Sequence, residues 1–552
     1  MKRNALLALL SILLLGVFAA SCGPGEISSG NGENENQTAD GDGDNGLGDS
    51  GSGENGTSDG GNGDGNGNAS GDDGDSGDSG DGDSADACAP GRVVPRPAEG
   101  AEDPCRPADG WATKAVFVAS HGDDSAVGAL PSPLKTIQAG IERALEEGKS
   151  FVLVQSGTYE ESIELANGVH LLGTYDLGWN VQRSSRAIVR GGNPTLFGED
   201  ISSPTRIMNF RFDPIASLGF GQSVVTAYLK NSNGVSLENV QINGGRAGDG
   251  IAGTDGVRGG VGSNGGKGDD AARGTWGVCG VVDNNSPRGG TAGASACGAV
   301  GGAGGDGPRG ARSGNNGDPG NAGAAGGTAG APEVNGSPGA HGDHGEHGAQ
   351  GQGGTVSGYF DGFSWVGEDG TDGVDGTEGA GGGGGGSGGG EDTGNWSCDR
   401  WGPGGGGGGG GGCAGTAGTA GTHGGASIAL FLIESDIRIR ESRVTGGIGG
   451  DGGRGGVGEP GGSGGSGGPG GEPQGGTGRG GDGGDGGDGG DGGNAGGGAG
   501  GPSFAIFTTH PLSTSLEGSR IEAGSAGKGG GPSGAVTQGA DGLAAEIQVG
   551  LQ

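Results

Sequence analysis

Residues Leu237-Glu238-Asn239-Val240-Gln241-Ile242-Asn243-Gly244-Gly245 return in outline as Ile439–Gly447 and again as Leu516–Gly524, at long and unequal intervals. A shorter relative, Ile207-Met208-Asn209-Phe210-Arg211-Phe212, precedes them, and an apolar run (224–229, 428–433, 504–507) stands upstream of each full copy. Self-similar units of this kind are rungs of a solenoid, each burying its apolar face only against its neighbours. A glycine-rich tract follows every full copy, so the tracts are expected to leave one side of the stack. The three copies (237–242, 439–444 and 516–521) are expected to lie in register in one sheet, with the alternation of 543–551 closing it. The entropy of closing even the longest intervening loop grows only logarithmically with its length. Removal of 246–425 is therefore expected to leave the core folded.

Glycine supplies 156 of the 552 residues and proline 23, together about a third, against roughly an eighth in average proteins. Only 29% of residues are hydrophobic, and they fall in a few blocks, so much of the chain has too little apolar surface to fold by burial. The N-terminus reads as an export signal over 1–22: Lys2 and Arg3, an apolar run from Ala5 to Ala20, then Ala19-Ala20-Ser21-Cys22. That tetrapeptide resembles a bacterial lipobox with Cys22 as the acylated residue. The resemblance implies a membrane partner through a lipid anchor, an outer-membrane address exposed at the surface, or otherwise plain secretion. Residues 23–87 hold seventeen acidic side chains and no Lys or Arg. They form a self-repelling tether spanning on the order of 45 Å. The net charge of −37 excludes nucleic acid as a natural partner.

The six remaining cysteines fall in three close pairs, Cys88/Cys105, Cys279/Cys297 and Cys398/Cys413. No close CxxC or CxxH accompanies them as zinc would require, and an exported chain meets an oxidising compartment. Proximity favours three local disulfides.

From Ala115 the sequence becomes globular. Val116-Phe117-Val118 reads as a strand. Pro133 to Glu147 reads as an amphipathic helix with Ile137, Ile141, Ala144 and Leu145 on one face. Short strands follow at 151–154, 162–165 and 169–172, with Gly157, Asn167-Gly168 and Gly173 as turns. Lys135-Thr136-Ile137-Gln138, Val152 to Val154 before Gly157-Thr158-Tyr159, and Gly168-Val169 before Gly173 resemble the cap and first coils of pectate-lyase-like right-handed parallel β-helices. The resemblance covers 115–243 well and 426–445 and 503–522 loosely. It implies an all-β fold whose N-terminal helix covers one end.

That family includes polysaccharide lyases and hydrolases. The charged residues on the repeats are Arg206, Arg211, Glu238, Arg438, Arg440, Glu441, Arg443, Glu517, Arg520 and Glu522. Most alternate with apolar positions as solvated strand faces do, and none forms an active-site signature of the family. No catalytic residue, metal or cofactor is assigned.

The chain is divided as 1–22 signal, 23–87 tether, 88–243 cap and first coils, 244–425 first insert, 426–445 coil, 446–502 second insert, 503–522 coil, 523–540 third insert and 541–552 terminal strand. Within the inserts a three-residue glycine period runs from Gly336 to Gly351, and Asp482, Asp485, Asp488 and Asp491 are spaced by Gly-Gly. The uninterrupted Gly404 to Gly412 and the scarcity of proline exclude collagen. Two states remain open, disorder or extended three-residue-per-turn helices bonded side by side. His341, His344 and His347 are spaced about 9 Å apart on such a helix, too far to share a metal. Tyr359, Phe360, Phe363 and Trp365 are either a platform for stacking a ligand or an anchor for the insert, and Trp276, Trp396 and Trp401 flank the cysteines. The expected function is a surface-displayed envelope scaffold, structural or adhesive, contacting envelope polysaccharide or another cell. The alternative is a β-helical protein that binds or cleaves carbohydrate.

Overall fold

The computed structural model describes residues 111–550 except 183, 216–217, 273–285, 395–398, 513–515 and 532–536, all within one compact unit, Gly82–Gln552. The signal, Cys22, the tether, Cys88, Cys105, Cys279, Cys398, Trp276, Trp396 and Leu551 lie outside the described residues.

Strand β1 (Ala115–Val118) and helix α1 (Ile137–Glu146) come first. Three rungs follow: β2 (Phe151–Gln155), β3 (Gly157–Tyr159) and β4 (Ile163–Glu164); β5 (His170–Tyr175), β6 (Ala187–Gly191) and β7 (Leu196–Glu199); β8 (Thr205–Met208), β9 (Phe210–Pro214) and β10 (Val224–Lys230). The fourth rung opens with β11 (Val235–Glu238) and β12 (Gln241–Asn243). It is interrupted by the first glycine-rich tract, which carries a hairpin, β13 (Gly358–Asp361) and β14 (Ser364–Gly367), and closes with β15 (Ser427–Ile433). The fifth holds β16 (Arg438–Arg440), β17 (Arg443–Thr445) and β18 (Ser503–Thr508), and the last β19 (Arg520–Glu522) and β20 (Ala544–Val549).

The rungs assemble three six-stranded parallel sheets, ordered β1-β2-β5-β8-β11-β16, β3-β6-β9-β12-β17-β19 and β4-β7-β10-β15-β18-β20. Among the described residues the fold is all-β with one helix, and successive strands step from sheet to sheet in a β-helix-like stack. Each sheet sends at least one long apolar column inward. In the first it is Val152–Leu171–Ile207–Leu237–Ile439. In the second it is Tyr159–Val189–Phe212–Ile242–Val444–Ile521, and in the third Ile163–Leu196–Ala227–Leu430–Ile506–Ile547. Most of these side chains are fully buried in one continuous core, each large one contributing about 1.5–3 kcal/mol.

Three expectations need correction. One repeat does not lie in one sheet but spans two. Leu237 and Val240 are both buried, which strict alternation forbids without a turn between them. Asn239 and its equivalents Asn209, Glu441 and Gly518 provide that turn at positive φ, and the Asn239 side-chain amide donates to the Asn209 side-chain oxygen. The helix begins at Ile137, capped by Thr136, because Leu134 instead exchanges backbone hydrogen bonds with Phe117 and Ala119 beside β1; Leu145 turns outward, 56% exposed. Gly157 and Gly173 are strand residues, in β3 and β5, rather than turns. At the far end β20 pairs with β18 and leaves Ile547 38% exposed.

All three tracts leave after a second-sheet strand (β12, β17, β19) and return into a third-sheet strand (β15, β18, β20), so they share one corner of the stack. There they merge into a common lattice of extended segments bonded by their backbones, and the described residues show the packed alternative. Gly250, Gly253, Gly256, Gly259, Gly262, Gly265 and Gly268 donate in turn to the carbonyls of Asp451, Arg454, Val457, Pro460, Ser463, Ser466 and Pro469.

The run Gly404 to Gly412 lies wholly inside this lattice. Gly404, Gly407 and Gly410 donate to Asp269, Gly266 and Ser263; Gly405, Gly408 and Gly411 to Gly305, Gly302 and Ala299; Gly406, Gly409 and Gly412 to Gly481, Gly484 and Gly487. The run accepts from three further segments, through Gly290 and Gly293, through Gly379, Gly382 and Gly385, and through Gly465, Gly468 and Gly471. Six neighbours surround one segment, and every backbone N–H in it is satisfied without a side chain. A Cβ on Gly405, Gly406 or Gly407 would stand 1.9, 1.9 or 2.0 Å from the carbonyl oxygens of Gly385, Gly468 or Thr291. Unbroken glycine is thus the mark of an enclosed segment, and glycine at every third position the mark of a rim.

The packing also re-pairs the cysteines. Cys297 is bonded to Cys413, 116 residues apart in sequence, with Cα atoms 5.6 Å apart. This overturns the local pairings Cys279–Cys297 and Cys398–Cys413. Cys413 lies on the enclosed strand and Cys297 at the end of the segment laid against it, so lateral packing outweighs sequence proximity.

Candidate functional site

Where the lattice meets the rungs, a shelf is cut into it. Far from the rungs, Ser263, Gly266 and Asp269 donate to Ala294, Thr291 and Arg288, carbonyls of a further layer built from 287–331. Nearer the rungs no described residue continues that layer. The equivalent amides of Ile251, Thr254 and Val257 donate instead to the hydroxyls of Thr422, Thr419 and Thr416 at 2.7, 2.8 and 2.6 Å. One segment over, Ala417, Ala420 and His423 donate to the carboxylates of Asp375, Asp372 and Asp369 at 2.6, 2.6 and 2.7 Å. Glu346 and Gln352 likewise donate to Thr377 and Thr371. Threonine and aspartate therefore finish the lattice where its third layer stops, and the Cys297–Cys413 bridge sits at the step.

The opposite rim follows the same rule. Asp482, Asp485, Asp488 and Asp491 accept the amides of Gly470, Gly467, Gly464 and Gly461 at 2.8–3.0 Å. His341, His344 and His347 accept through Nδ1 from the amides of Asp485, Asp488 and Asp491 at 2.9–3.0 Å. With Nδ1 accepting, each imidazole carries its proton on Nε2. Among the described residues no group of three His, Cys, Asp or Glu is placed to hold a metal ion. At the far tip Glu391 accepts from Gly476 and pairs with Arg400; these bonds, the backbone one foremost, hold its carboxyl below the usual range. Trp401 lies beneath the Arg309 guanidinium, 5.9 Å from it.

The hairpin β13–β14 folds back over the outer face of the third sheet. Phe360 packs 5.1 Å from Phe431, 4.5 Å from Phe507 and 5.1 Å from Trp365, and the Trp365 amide donates to Ser223 Oγ at 2.8 Å. Phe360 and Trp365 thereby clamp the insert to the rungs in an apolar cluster separate from the main core. Phe363 meets Tyr228 at 5.8 Å but keeps an open face, and Tyr359 is 64% exposed. The four aromatics are thus split between a clamp and a free side.

Between hairpin, shelf and rungs lies a pocket of about 440 Å³ lined by Phe220, Gln222, Phe363, Ser364, Asp369, Thr422 and His423, among others. Apart from Phe363, sequence reading missed these residues. One signal was available: Asp369, Asp372 and Asp375 run against His423, Ala420 and Ala417 with the same three-residue step.

The charged residues of the rungs do not gather in one place. Arg206 pairs with Glu238 (2.5 Å), Arg211 with Asp213 (2.9 Å), Arg440 with Glu517 (3.0 Å) and Arg443 with Glu522 (2.5 Å). These are mostly cross-strand neighbours on the outer faces of the first and second sheets. Half-burial lowers the pKa of His170, as does the adjacent Arg206, whose backbone amide donates to the ring at 2.9 Å. No family model matches this chain, and neither a curated protein nor a solved structure does.

Proposed function

We propose that this chain is a surface-displayed bacterial lipoprotein acting as a structural or adhesive envelope scaffold. Its glycine-rich extensions form a polyglycine-type lattice carried on a right-handed parallel β-helix of the pectate-lyase-like kind. One observation carries the reading: three tracts inserted at a single corner fuse into one lattice. The rims of that lattice present polar side chains at every third residue, about 9 Å apart along each segment. Such a body is rigid without a large apolar core and offers a broad hydrated surface. Cys22 anchors it and the 23–87 tether holds it off the membrane.

Two measurements test this. Cys22→Ser should move the protein from the membrane fraction to the soluble one. Cells or beads displaying the wild-type chain should attach to envelope material, and those displaying a chain without 246–425 and 448–501 should not. Retention of the Cys22→Ser protein in the membrane, or equal attachment by both chains, overturns the reading. The carbohydrate-binding alternative has one observation in its favour, the pocket beside Phe363.

A further inference from the structure

We propose that this pocket binds a neutral hexose unit of a polysaccharide; the proposal deepens the carbohydrate-binding alternative above and rests on it. Its volume of about 440 Å³ falls within the usual range for small-ligand sites, and its place at the meeting of three substructures is where such sites form. Two phenyl rings stand at its wall. Phe220 is 72% exposed and Phe363 36%, unlike Phe360, which the clamp consumes. Exposed rings of this kind offer flat apolar faces to the C–H side of a sugar ring.

The polar lining has unused capacity on both sides of the hydrogen-bond ledger. Asp369 Oδ1 is taken by the His423 amide, which leaves Oδ2 as an acceptor. Gln222 Oε1 is taken by Gly219, which leaves its amide N–H₂ to donate. Thr422 Oγ1 accepts from Ile251 and keeps its own proton to give. His423 uses Nδ1 toward the Gly424 carbonyl at 3.3 Å, leaving Nε2 free. Donors and acceptors interleaved beside aromatic faces match the alternating hydroxyls of a sugar. The Asp369 carboxylate within the lining and the net charge of −37 repel a uronate or sulfated unit, which selects the neutral class.

The test is calorimetric titration of the full chain with cellotetraose, maltotetraose and mannotetraose, and with tetragalacturonate as the acidic control. The variants are Phe220→Ala, whose ring is mostly in solvent, and Asp369→Asn, which keeps an oxygen for the His423 amide. At least one neutral tetrasaccharide should bind with a millimolar or tighter Kd and tetragalacturonate should not. Phe220→Ala should weaken that binding about two- to ten-fold, the loss of one stacking contact, with an unchanged unfolding temperature. No binding of any neutral tetrasaccharide at millimolar concentration overturns the proposal, as does binding that both variants leave intact. Failure here alongside persistent bead attachment removes the pocket and leaves the scaffold reading. Tetrasaccharide binding without bead attachment removes the scaffold reading instead.

Discussion

The rungs and the lattice share one chain and one corner, yet they satisfy the backbone by opposite means. In the rungs, parallel ladders join strands whose inward columns, such as Ile163–Leu196–Ala227–Leu430–Ile506, remove large side chains from water. In the lattice, Gly404 to Gly412 has no side chain to bury and is held by hydrogen bonds to six neighbours. Each such bond nets only about 0.5–1.5 kcal/mol, and glycine loses the most entropy on ordering. The lattice must therefore be dense and complete to persist, whereas a rung tolerates local loss. A core of apolar atoms degrades gradually; a core of peptide groups depends on every neighbour being present.

The widest separation between the two regions comes from deleting 246–425 and rejoining the ends by a short turn. The rungs should still unfold cooperatively, but residues 448–501 lose their partners, since Gly481, Gly484 and Gly487 donate to Gly386, Gly383 and Ala380. Hydrogen exchange should show 480–493 unprotected while β10 and β15 stay protected; protection in 480–493 would refute the interdependence. Reduction of Cys297–Cys413 comes next. A closed loop of 116 residues is worth about 4–5 kcal/mol in the chain-entropy model, so reductant should lower the midpoint of lattice unfolding and spare the rungs. Peptide mapping should find Cys297 and Cys413 in one crosslink.

Smaller still is Gly408→Ala, which sets a Cβ 2.0 Å from the Gly382 carbonyl oxygen and should destabilise the lattice by about 1–3 kcal/mol; an unchanged denaturation curve would break the enclosed-segment argument. The smallest effect is expected at the rim. Asp488→Ala leaves the Gly464 amide without its carboxylate and should cost about 1 kcal/mol, Asp488→Asn much less.

Acid acts on the lattice through carboxylates that accept backbone amides. Asp270 and Asp541 have depressed pKa values because the amides of Glu472 and Gly529 donate to them. Their contribution is complete above the free aspartate value near 3.9 and vanishes as the pH falls through the lower folded values. Exchange protection around Asp270 and Asp541 should therefore fall below about pH 4.

The repeats were legible because apolar spacing reports burial directly: Leu237 pairs with Ile439, Ile242 with Val444, and Val444 in turn with Ile521. The corner at Asn239 was legible in principle, since two inward residues three apart contradict a single strand. The disulfide was not, because the neighbour of Cys413 is fixed by lateral packing between segments that local sequence never juxtaposes. The pocket was hidden for the same reason. Phe220, the Phe363–Asp369 stretch and Thr422 come from three passes of the chain, and only the matching three-residue steps of 369–375 and 417–423 hint at which passes lie side by side. What the sequence did carry, unread, was the switch from unbroken glycine at 404–412 to Ala-Gly-Thr triplets at 414–422, which marks the edge of the third layer.

The register of the sheets runs on into the lattice. Gln241 and Ile242 of β12 pair with Arg443 and Val444, and the same offset of 202 residues recurs where Asp249, Asp255, Asn264 and Asp270 accept the amides of Asp451, Val457, Ser466 and Glu472. A gain or loss of one or two residues within such a segment would rotate every later side chain into a neighbour's backbone, whereas a change of three restores the match. Length variation among descendants of this chain should therefore be quantised: the lattice segments lengthen or shorten by whole triplets, and the genes encoding them by multiples of nine nucleotides.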